Sequence, residues 1–297
     1  MRRLLVLAIA LMVLIAGCIS RHEESSCTPT NDIIQALKCY IPEEIYLLRE
    51  EASKIPGDNL EWKVWNILKW EDENLNYDET KESDIILKPS EFLMKRKGIC
   101  TDYAVLTAGL LLASNITPVY LMIFHFAENP TLHAAIALNI SGKLFILDQK
   151  LPPKRVDSYW FELAKKEGKI ITFIEVYKVE LGNVSKLKIL IPTDFRLNKT
   201  DIDPEKFNKM LIYEFRRRTG LLPRRELEIM LPTGFTERKI MVFEFEDFRI
   251  LYDSVFMQQY VSFIVEYMLR RVNGYKVFWI STSLKGDNLV VKLFLAK

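Results

Sequence analysis

The segment from Cys100 to Ser114, CTDYAVLTAGLLLAS, constrains the fold of this chain more than any other part of the sequence. Its residues are nearly all apolar, which predicts a helix without a solvent-exposed face, and such a helix must be covered on all sides. Three strand-like runs follow, at Val119–Phe126, His133–Ile140 and Lys143–Asp148, and Ser141-Gly142 is typical of a tight hairpin turn. The pattern predicts an α+β fold in which a buried helix packs on an antiparallel sheet.

The sequence on both sides of this core also shows helical and strand-like patterns. Before residue 199 it predicts helices over 30–55, 59–75, 90–97 and 157–167, and a strand over 170–180. After residue 199 it predicts helices over 204–219 and 250–272, and strands over 239–248, 275–284 and 288–296. We therefore divide the chain into a signal peptide or anchor (1–19), an N-terminal helical segment (20–58), a main domain (59–195) and a small C-terminal α+β domain of unassigned role (196–297).

The N-terminus has the pattern of an export signal. Arg2 and Arg3 precede an unbroken apolar run, and Ile15–Cys18 resembles a lipobox, in which Cys18 is lipidated after cleavage. An uncleaved membrane anchor stays open as the alternative. Both interpretations place the bulk of the chain outside the cytoplasm, held at the cell membrane by its N-terminus. The formal net charge is +2, of which Arg2 and Arg3 account for all, so the composition does not favour a nucleic-acid partner.

The four cysteines separate by position. Cys18 is the lipidation candidate, and Cys27 and Cys39 are candidates for a disulfide in an exported chain, with two unpaired thiols as the alternative. A zinc site from His22, Cys27 and Cys39 lacks a fourth ligand, so we expect no metal and no cofactor. Export would also make the Asn-x-Ser/Thr sequons at Asn183 and Asn198 glycosylation candidates, because both are expected in loops.

Cys100 remains, and it has the position of a nucleophile. It begins the apolar helix, where the helix dipole and free backbone N–H groups favour a thiolate. If Ser141-Gly142 is a two-residue turn, His133 and Asp148 become diagonal neighbours on one face of the hairpin. The strand neighbours of His125, by contrast, supply no comparable acid. The residues therefore favour Cys100 as nucleophile, His133 as base and Asp148 as its orienting acid, although a core cysteine, a surface histidine and a turn aspartate would give the same pattern.

The stretch KGICTDYAVLTAGLLLASNITPVYL resembles the signature of the transglutaminase-like superfamily, whose fold is papain-like. His133 and Asp148 match the family's His and Asp in order and spacing, and WNILKWEDENLNYD resembles the helix before the family's cysteine loop. The resemblance covers about residues 60–155, and the chain also looks similar to membrane-anchored archaeal members. It departs from the family where Ala134 and Ala135 follow the histidine. Asp102 and Tyr103 match the family and are expected to order the cysteine loop.

The resemblance implies acyl transfer at an amide through a thioester on Cys100, with hydrolysis favoured over crosslinking and a peptide or protein as the substrate. The oxyanion donor stays open between Trp65 and Tyr77. The alternative is a non-catalytic transglutaminase-like binding module at the membrane surface. The sequence says nothing about the oligomeric state.

Overall fold

A computed structural model describes residues 27–127, 132–194, 196–270 and 272–297. The predicted export signal, Cys18 and His22 lie outside these ranges. Among the helices that the described residues form, none is long and apolar enough to cross a membrane.

Three helices precede the core: α1 (Ile33–Glu43), α2 (Ile45–Lys54) and α3 (Leu60–Asn74). Asp32 caps the N-terminus of α1, because its carboxylate accepts the backbone N–H of Ile34 at 2.8 Å. The single helix predicted over 30–55 is wrong: it is interrupted at Glu44, whose carboxylate instead accepts the backbone N–H of Ser90 at 2.7 Å. A disulfide joins Cys27 to Cys39 of α1.

The next elements lead into the buried helix. They are β1 (Asn76–Tyr77), α4 (Pro89–Lys95), β2 (Lys97–Gly98) and α5 (Cys100–Ala113). The helix predicted to reach Lys97 ends two residues earlier, because Arg96 adopts a left-handed conformation with φ 56°. The chain then pairs in parallel with β1, which places Tyr77 opposite Gly98, two residues before Cys100.

A six-stranded antiparallel sheet forms the centre of the molecule, and α6 (Val156–Glu167) connects two of its strands. The strands, in the order in which they occur along the chain, are β3 (Val119–Phe126), β4 (His133–Ile140), β5 (Lys143–Leu147), β6 (Lys154–Arg155), β7 (Ile171–Glu180) and β8 (Asn183–Leu190). Their order across the sheet is β6-β5-β4-β3-β7-β8. Ile140 pairs with Lys143, so the predicted turn and register of the β4–β5 hairpin are confirmed.

Two strands of this sheet, β6 and β8, were not predicted. We expected a loop at Asn183, but this residue begins β8 and pairs with Glu180 of β7. The alternation in β8 is weak because this is an edge strand, and most of its side chains are exposed.

The sheet is covered on both faces. Helix α5 packs on one face with Val119, Leu121 and Ile136, and α6 packs on the other with Met122 and Phe124. The close packing of α5 is visible at Gly109, where a Cβ atom would lie 2.8 Å from Leu48 of α2. The predicted α+β architecture, a buried helix on an antiparallel sheet, is confirmed.

A second sheet lies in the C-terminal third. Its strands are β9 (Leu222–Pro223), β10 (Arg238–Phe245), β11 (Val277–Lys285) and β12 (Asn288–Ala296), in the order β10-β12-β11-β9. The helices of this region are α7 (Pro204–Thr219), α8 (Phe248–Leu251) and α9 (Met257–Leu269). The continuous helix predicted over 250–272 is wrong. The chain breaks at Asp253, whose carboxylate accepts the N–H of Val255 and binds Lys143 and Arg155.

The contacts that join the C-terminal third to the rest of the chain include those of Trp65 and Arg155. Trp65 of α3 packs on Phe256 and Tyr260, with ring centroids 6.1 and 5.3 Å away. Arg155, at the start of α6, donates to Asp253 at 3.0 Å and to Thr200 at 3.1 Å. The same guanidinium also donates to the backbone carbonyls of Asn198 and Ile250, and to Asp157 at 3.0 Å. The division of the chain between residues 195 and 196 stays a prediction.

Candidate active site

Cys100 is the first residue of α5 and lies at the bottom of a cleft, with 9% of its surface exposed. Its sulfur interacts with the side chain of His133 and with the backbone N–H of Ala134. The preceding Gly98 is required by close packing, because a Cβ atom there would lie 2.7 Å from Asp102 and 2.8 Å from Phe92. The thiol is thus held at a helix N-terminus against the beginning of β4.

His133 begins β4 and faces an acid from the end of the neighbouring strand. Its Nε2 lies 3.0 Å from Oδ2 of Asp148, which follows β5. Tyr159 of α6 donates its hydroxyl to the same carboxylate oxygen at 2.5 Å. The hairpin register thus brings histidine and aspartate together, and a tyrosine from a helix on the far face of the sheet fixes the carboxylate.

The charges of the three groups favour a thiolate–imidazolium pair. Burial would raise the pKa of the Cys100 thiol, but the hydrogen bond and positive charge of His133 outweigh it and lower that pKa. Burial would lower the pKa of the His133 imidazole, but Asp148 and Cys100 raise it from 6.5 to about 10. The pKa of Asp148 is lowered in spite of burial by His133 and by the Tyr159 hydroxyl. These shifts favour transfer of the thiol proton to the imidazole, which leaves the sulfur anionic.

Of the two candidates for an oxyanion donor, Trp65 and Tyr77, it is Tyr77 that lies beside the thiol. Its hydroxyl interacts with the Cys100 sulfur and with the backbone N–H of the same residue. Burial, followed by the negative charge of Cys100, raises the pKa of Tyr77 to about 12, so the hydroxyl keeps its proton at neutral pH. The other candidate, Trp65, is 3% exposed and packs in the core against the C-terminal third.

Asp102 holds the loop in front of the cysteine. Its carboxylate is fully buried and accepts the backbone N–H groups of Ile99 and Leu87, each at 2.8 Å, and the ammonium of Lys81 at 2.8 Å. Tyr103 packs edge-on against Phe92, with ring centroids 4.9 Å apart. Both residues therefore have the ordering contacts that we expected.

The cleft above Cys100 has a volume of about 390 Å³. Polar and charged side chains line it together with apolar ones: Asn31, Tyr77, Asp84, Ile99, Thr101, Phe126, Leu132 and Lys169. A larger cavity of about 630 Å³ lies where α2 ends and α3 begins, and its described lining includes neither histidine nor cysteine. The reactive groups thus converge in the smaller cleft.

His125 lies on β3 and does not line the cleft. Its ring stacks on Phe173 with centroids 3.9 Å apart, and its Nε2 lies 3.6 Å from Oε2 of Glu175. Our expectation that this histidine has no acid on a neighbouring strand is wrong. The acid comes from β7, which pairs with β3 from the other side and is separated from it in sequence by three strands and α6.

The two glycosylation candidates are both exposed, but their backbones are held. Asn183 pairs in β8, and the backbone N–H of Asn198 donates to Asp157 at 3.0 Å. Within the described residues, no cluster of three or more His, Cys, Asp or Glu side chains could hold a metal ion.

Comparison with known proteins agrees with this architecture. The model of a transglutaminase-like domain matches residues 47–177. A UPF0252 protein of Pyrococcus horikoshii is 50% identical over 309 residues, which cover 100% of both chains. A UPF0252 protein of Pyrococcus furiosus is 40% identical, and the alignment covers 99% of this chain and 96% of the relative. A candidate cysteine protease of Cytophaga hutchinsonii has a TM-score of 0.31 at 20% identity, over 59% of this chain and 56% of its own.

Proposed function

Because the chain belongs to the UPF0252 family and carries a transglutaminase-like domain, we propose that it is a cysteine enzyme that cleaves amide bonds with Cys100, His133 and Asp148 as its catalytic triad. One observation carries the proposal. The Cys100 thiol and the His133 imidazole both line the cleft, His133 lies 3.0 Å from the Asp148 carboxylate, and the surroundings lower the pKa of the thiol while they raise that of the imidazole.

The chemistry follows from the order of the three groups. The Cys100 thiolate attacks the substrate carbonyl carbon, and the His133 imidazolium then gives its proton to the leaving amine as the C–N bond breaks. A thioester remains on Cys100, and neutral His133 takes a proton from the water that hydrolyses it. Asp148 keeps the imidazole oriented and stabilises its charge, and Tyr159 fixes Asp148.

Stabilisation of the oxyanion falls to the groups around the helix start. The backbone N–H of Cys100 lies at the N-terminus of α5, where free N–H groups and the helix dipole favour negative charge. Tyr77 keeps its proton and interacts with the same N–H and with the sulfur, so its hydroxyl is placed to donate to the oxygen of the attacked carbonyl. We assign the oxyanion donors to these two groups.

The cleft favours a peptide or protein as the substrate. Its lining combines the apolar surfaces of Phe126 and Leu132 with the charges of Asp84 and Lys169, which suits a chain that presents both apolar and polar groups. Water is the more abundant acceptor, so hydrolysis is favoured over crosslinking.

The test is capture of the acyl intermediate. The full chain in detergent is incubated with a mixture of peptides, quenched in acid and digested, and the mass of the fragment that contains Cys100 is measured. We expect an added acyl mass on Cys100 and cleaved peptides in solution, both absent from Cys100→Ser. Intact peptides, together with alkylation of Cys100 by iodoacetamide at the slow rate of an ordinary thiol, would instead support the non-catalytic binding module.

We also propose that the N-terminal segment anchors the protein at the outer face of the cell membrane. The apolar run before Cys18 and the two arginines that precede it support this location. Mass analysis of the N-terminal fragment from native membranes tests it: a lipid on Cys18 indicates a lipoprotein, and an intact Met1 indicates an uncleaved anchor. Recovery of the protein in the soluble cell fraction would contradict both forms of the proposal.

A further inference from the structure

Glu71 of α3 is a fully buried carboxyl group that the proposed reaction does not use. Its exposed fraction is 0%, and its Oε1 lies 2.7 Å from the Thr107 hydroxyl of α5. Its Oε2 is buried and has no hydrogen-bond partner among the described residues. An ionised carboxylate with one unpaired oxygen in apolar surroundings is strongly unfavourable, whereas a neutral carboxylic acid is tolerated.

The proton count at Thr107 also favours the neutral form of Glu71. The Thr107 hydroxyl lies 2.8 Å from the backbone carbonyl oxygen of Tyr103 and 2.7 Å from Glu71. A hydroxyl has one proton and cannot donate to both oxygens. If Glu71 carries a proton, its O–H donates to Thr107, and the Thr107 hydroxyl donates to the carbonyl of Tyr103. Every polar hydrogen then has an acceptor.

The second feature is the charge that Glu71 faces. Burial raises the pKa of Glu71 to about 8. The negative charge of Asp148, which belongs to the triad, adds to this rise, and the hydrogen bond from Thr107 opposes it. The Oδ1 of Asp148 is itself buried without a partner among the described residues. The other titratable groups around Glu71 are Tyr103 on α5 and Asp72 on its own helix, while Lys69 of α3 is paired with Glu266 of α9 at 2.8 Å.

We propose that Glu71 is a proton-holding residue coupled to the triad: it is a neutral carboxylic acid at neutral pH, so that of these two carboxyl groups only Asp148 is ionised, and it adds a second carboxylate charge when it ionises in alkaline solution. This rests on the proposed function only in treating Asp148 as the triad acid. Glu71 touches neither substrate nor reacting atoms, so it acts through the charge of Asp148.

Infrared spectroscopy of the full chain in detergent tests the proton directly. The C=O stretch of a protonated carboxylic acid should be present at pH 7, disappear with a midpoint near pH 8, and be absent from Glu71→Gln. Glu73→Gln is the matched control, because Glu73 lies on the same helix with 57% of its side chain exposed and its loss should leave the band unchanged. A spectrum of the wild-type chain without this band at pH 7 would overturn the proposal.

Coupling to the triad is tested by Asp148→Asn, which removes a charge but little volume. The midpoint of the Glu71 band should fall by at least about half a pH unit, because the neighbouring negative charge is gone. A merely structural role of Glu71 would leave the midpoint unmoved, and that result would overturn the coupling. The measurement needs no substrate, so a chain that lacks activity but shows the shifted band would contradict only the proposed function.

Thermal unfolding gives an independent readout with a defined sign. The pKa of Glu71 is raised in the folded chain, so its contribution to stability is complete below the ordinary glutamate pKa of 4.5 and is lost as the pH rises through about 8. Between pH 5 and 8 the wild-type Tm should therefore fall by at least about 5 °C more than that of Glu71→Gln. Other groups contribute equally to both chains and cancel in this difference. Parallel curves would overturn the proposal.

Discussion

Two histidines on neighbouring strands each lie beside a carboxylate, and the rest of their surroundings differ. His133 Nε2 is 3.0 Å from Asp148, and His125 Nε2 is 3.6 Å from Glu175. The side chains of the two histidines are similarly exposed, at 20% and 24%. A histidine close to an acid is therefore not sufficient to identify a catalytic pair in this molecule.

The difference lies in the third partner of each pair. Asp148 is held by the neutral hydroxyl of Tyr159, so its charge remains directed at His133, which in turn meets the Cys100 thiol. Glu175 is instead held by the ammonium of Lys186 and accepts the Tyr177 hydroxyl at 3.2 Å, so a cation already balances its charge. The ring of His125 is covered by Phe173. Partners beyond the pair distinguish a triad from a surface ion cluster.

The largest expected effect separates the two histidines. His133→Ala removes the positive charge that stabilises the thiolate, and alkylation of Cys100 by iodoacetamide at pH 7 should slow by about 30-fold, the factor by which an ordinary thiol is less ionised. His125→Ala should change the rate by less than about twofold, since the His125 side chain does not line the cleft and is covered by Phe173. Equal effects of both substitutions would remove the basis of the comparison.

The pH dependence of the same reaction sharpens the comparison further. The pKa of Cys100 is lowered and that of His133 is raised to about 10, so the thiolate–imidazolium pair persists across neutral pH. Between pH 6 and 8 the wild-type alkylation rate should rise by less than about tenfold, whereas His133→Ala should show the roughly 100-fold rise of a free thiol. His125→Ala serves as the control and should follow the wild-type curve. A wild-type slope as steep as that of His133→Ala would contradict the ion pair.

The two acids should differ by a smaller factor. Asp148→Asn keeps the shape of the side chain but removes the charge that holds the imidazolium, and we expect alkylation of Cys100 to slow by about tenfold. Glu175→Gln should have an effect of less than about twofold, because its charge is balanced by Lys186. The measurement is the rate constant of Cys100 alkylation at pH 7 for the wild type and the two variants. A larger effect of Glu175→Gln than of Asp148→Asn would contradict the assignment of Asp148 as the acid of the triad.

Tyr77 should give the smallest of these changes. Tyr77→Phe removes one hydroxyl that interacts with the sulfur, and alkylation should slow by about threefold, the effect of one modest hydrogen bond. Peptide cleavage should fall more, by about tenfold or beyond, if the hydroxyl also donates to the oxyanion. Tyr177→Phe, which removes a hydroxyl beside Glu175, is the control. Equal losses in alkylation and cleavage would mean that the Tyr77 hydroxyl acts on the thiol and does not donate to the oxyanion.

Local sequence patterns predicted where the central side chains lie, although the patterns alone also fitted a core cysteine, a surface histidine and a turn aspartate. The apolar run placed Cys100 at a helix start, and Ser141-Gly142 specified the β4–β5 register, because a two-residue turn leaves no freedom in the pairing. These two features favoured Cys100, His133 and Asp148 as neighbours. The resemblance to the transglutaminase-like superfamily, which the family model confirms, agreed with them.

Interactions between distant parts of the chain were not predictable in the same way. Tyr159 reaches Asp148 only because α6 folds back over the sheet. Tyr77 reaches the thiol through a parallel pairing of two residues, which is too short to give a strand pattern in the sequence. The break at Asp253 arises because its carboxylate is drawn to Arg155, 98 residues earlier. In each case a tertiary contact overrode or supplemented the local propensity.

The position of Arg155 has a practical consequence for anyone who wishes to shorten this protein. A chain that stops before residue 196 would lose Thr200, Asp253 and the two carbonyls that accept from the guanidinium, and would keep Asp157 alone. A buried cation that loses partners of this kind costs about 3–5 kcal/mol. The affected residue directly precedes α6, which carries Tyr159, so the damage would begin one helical turn from the group that fixes Asp148. A minimal active fragment should therefore retain the C-terminal sheet even if that sheet binds nothing.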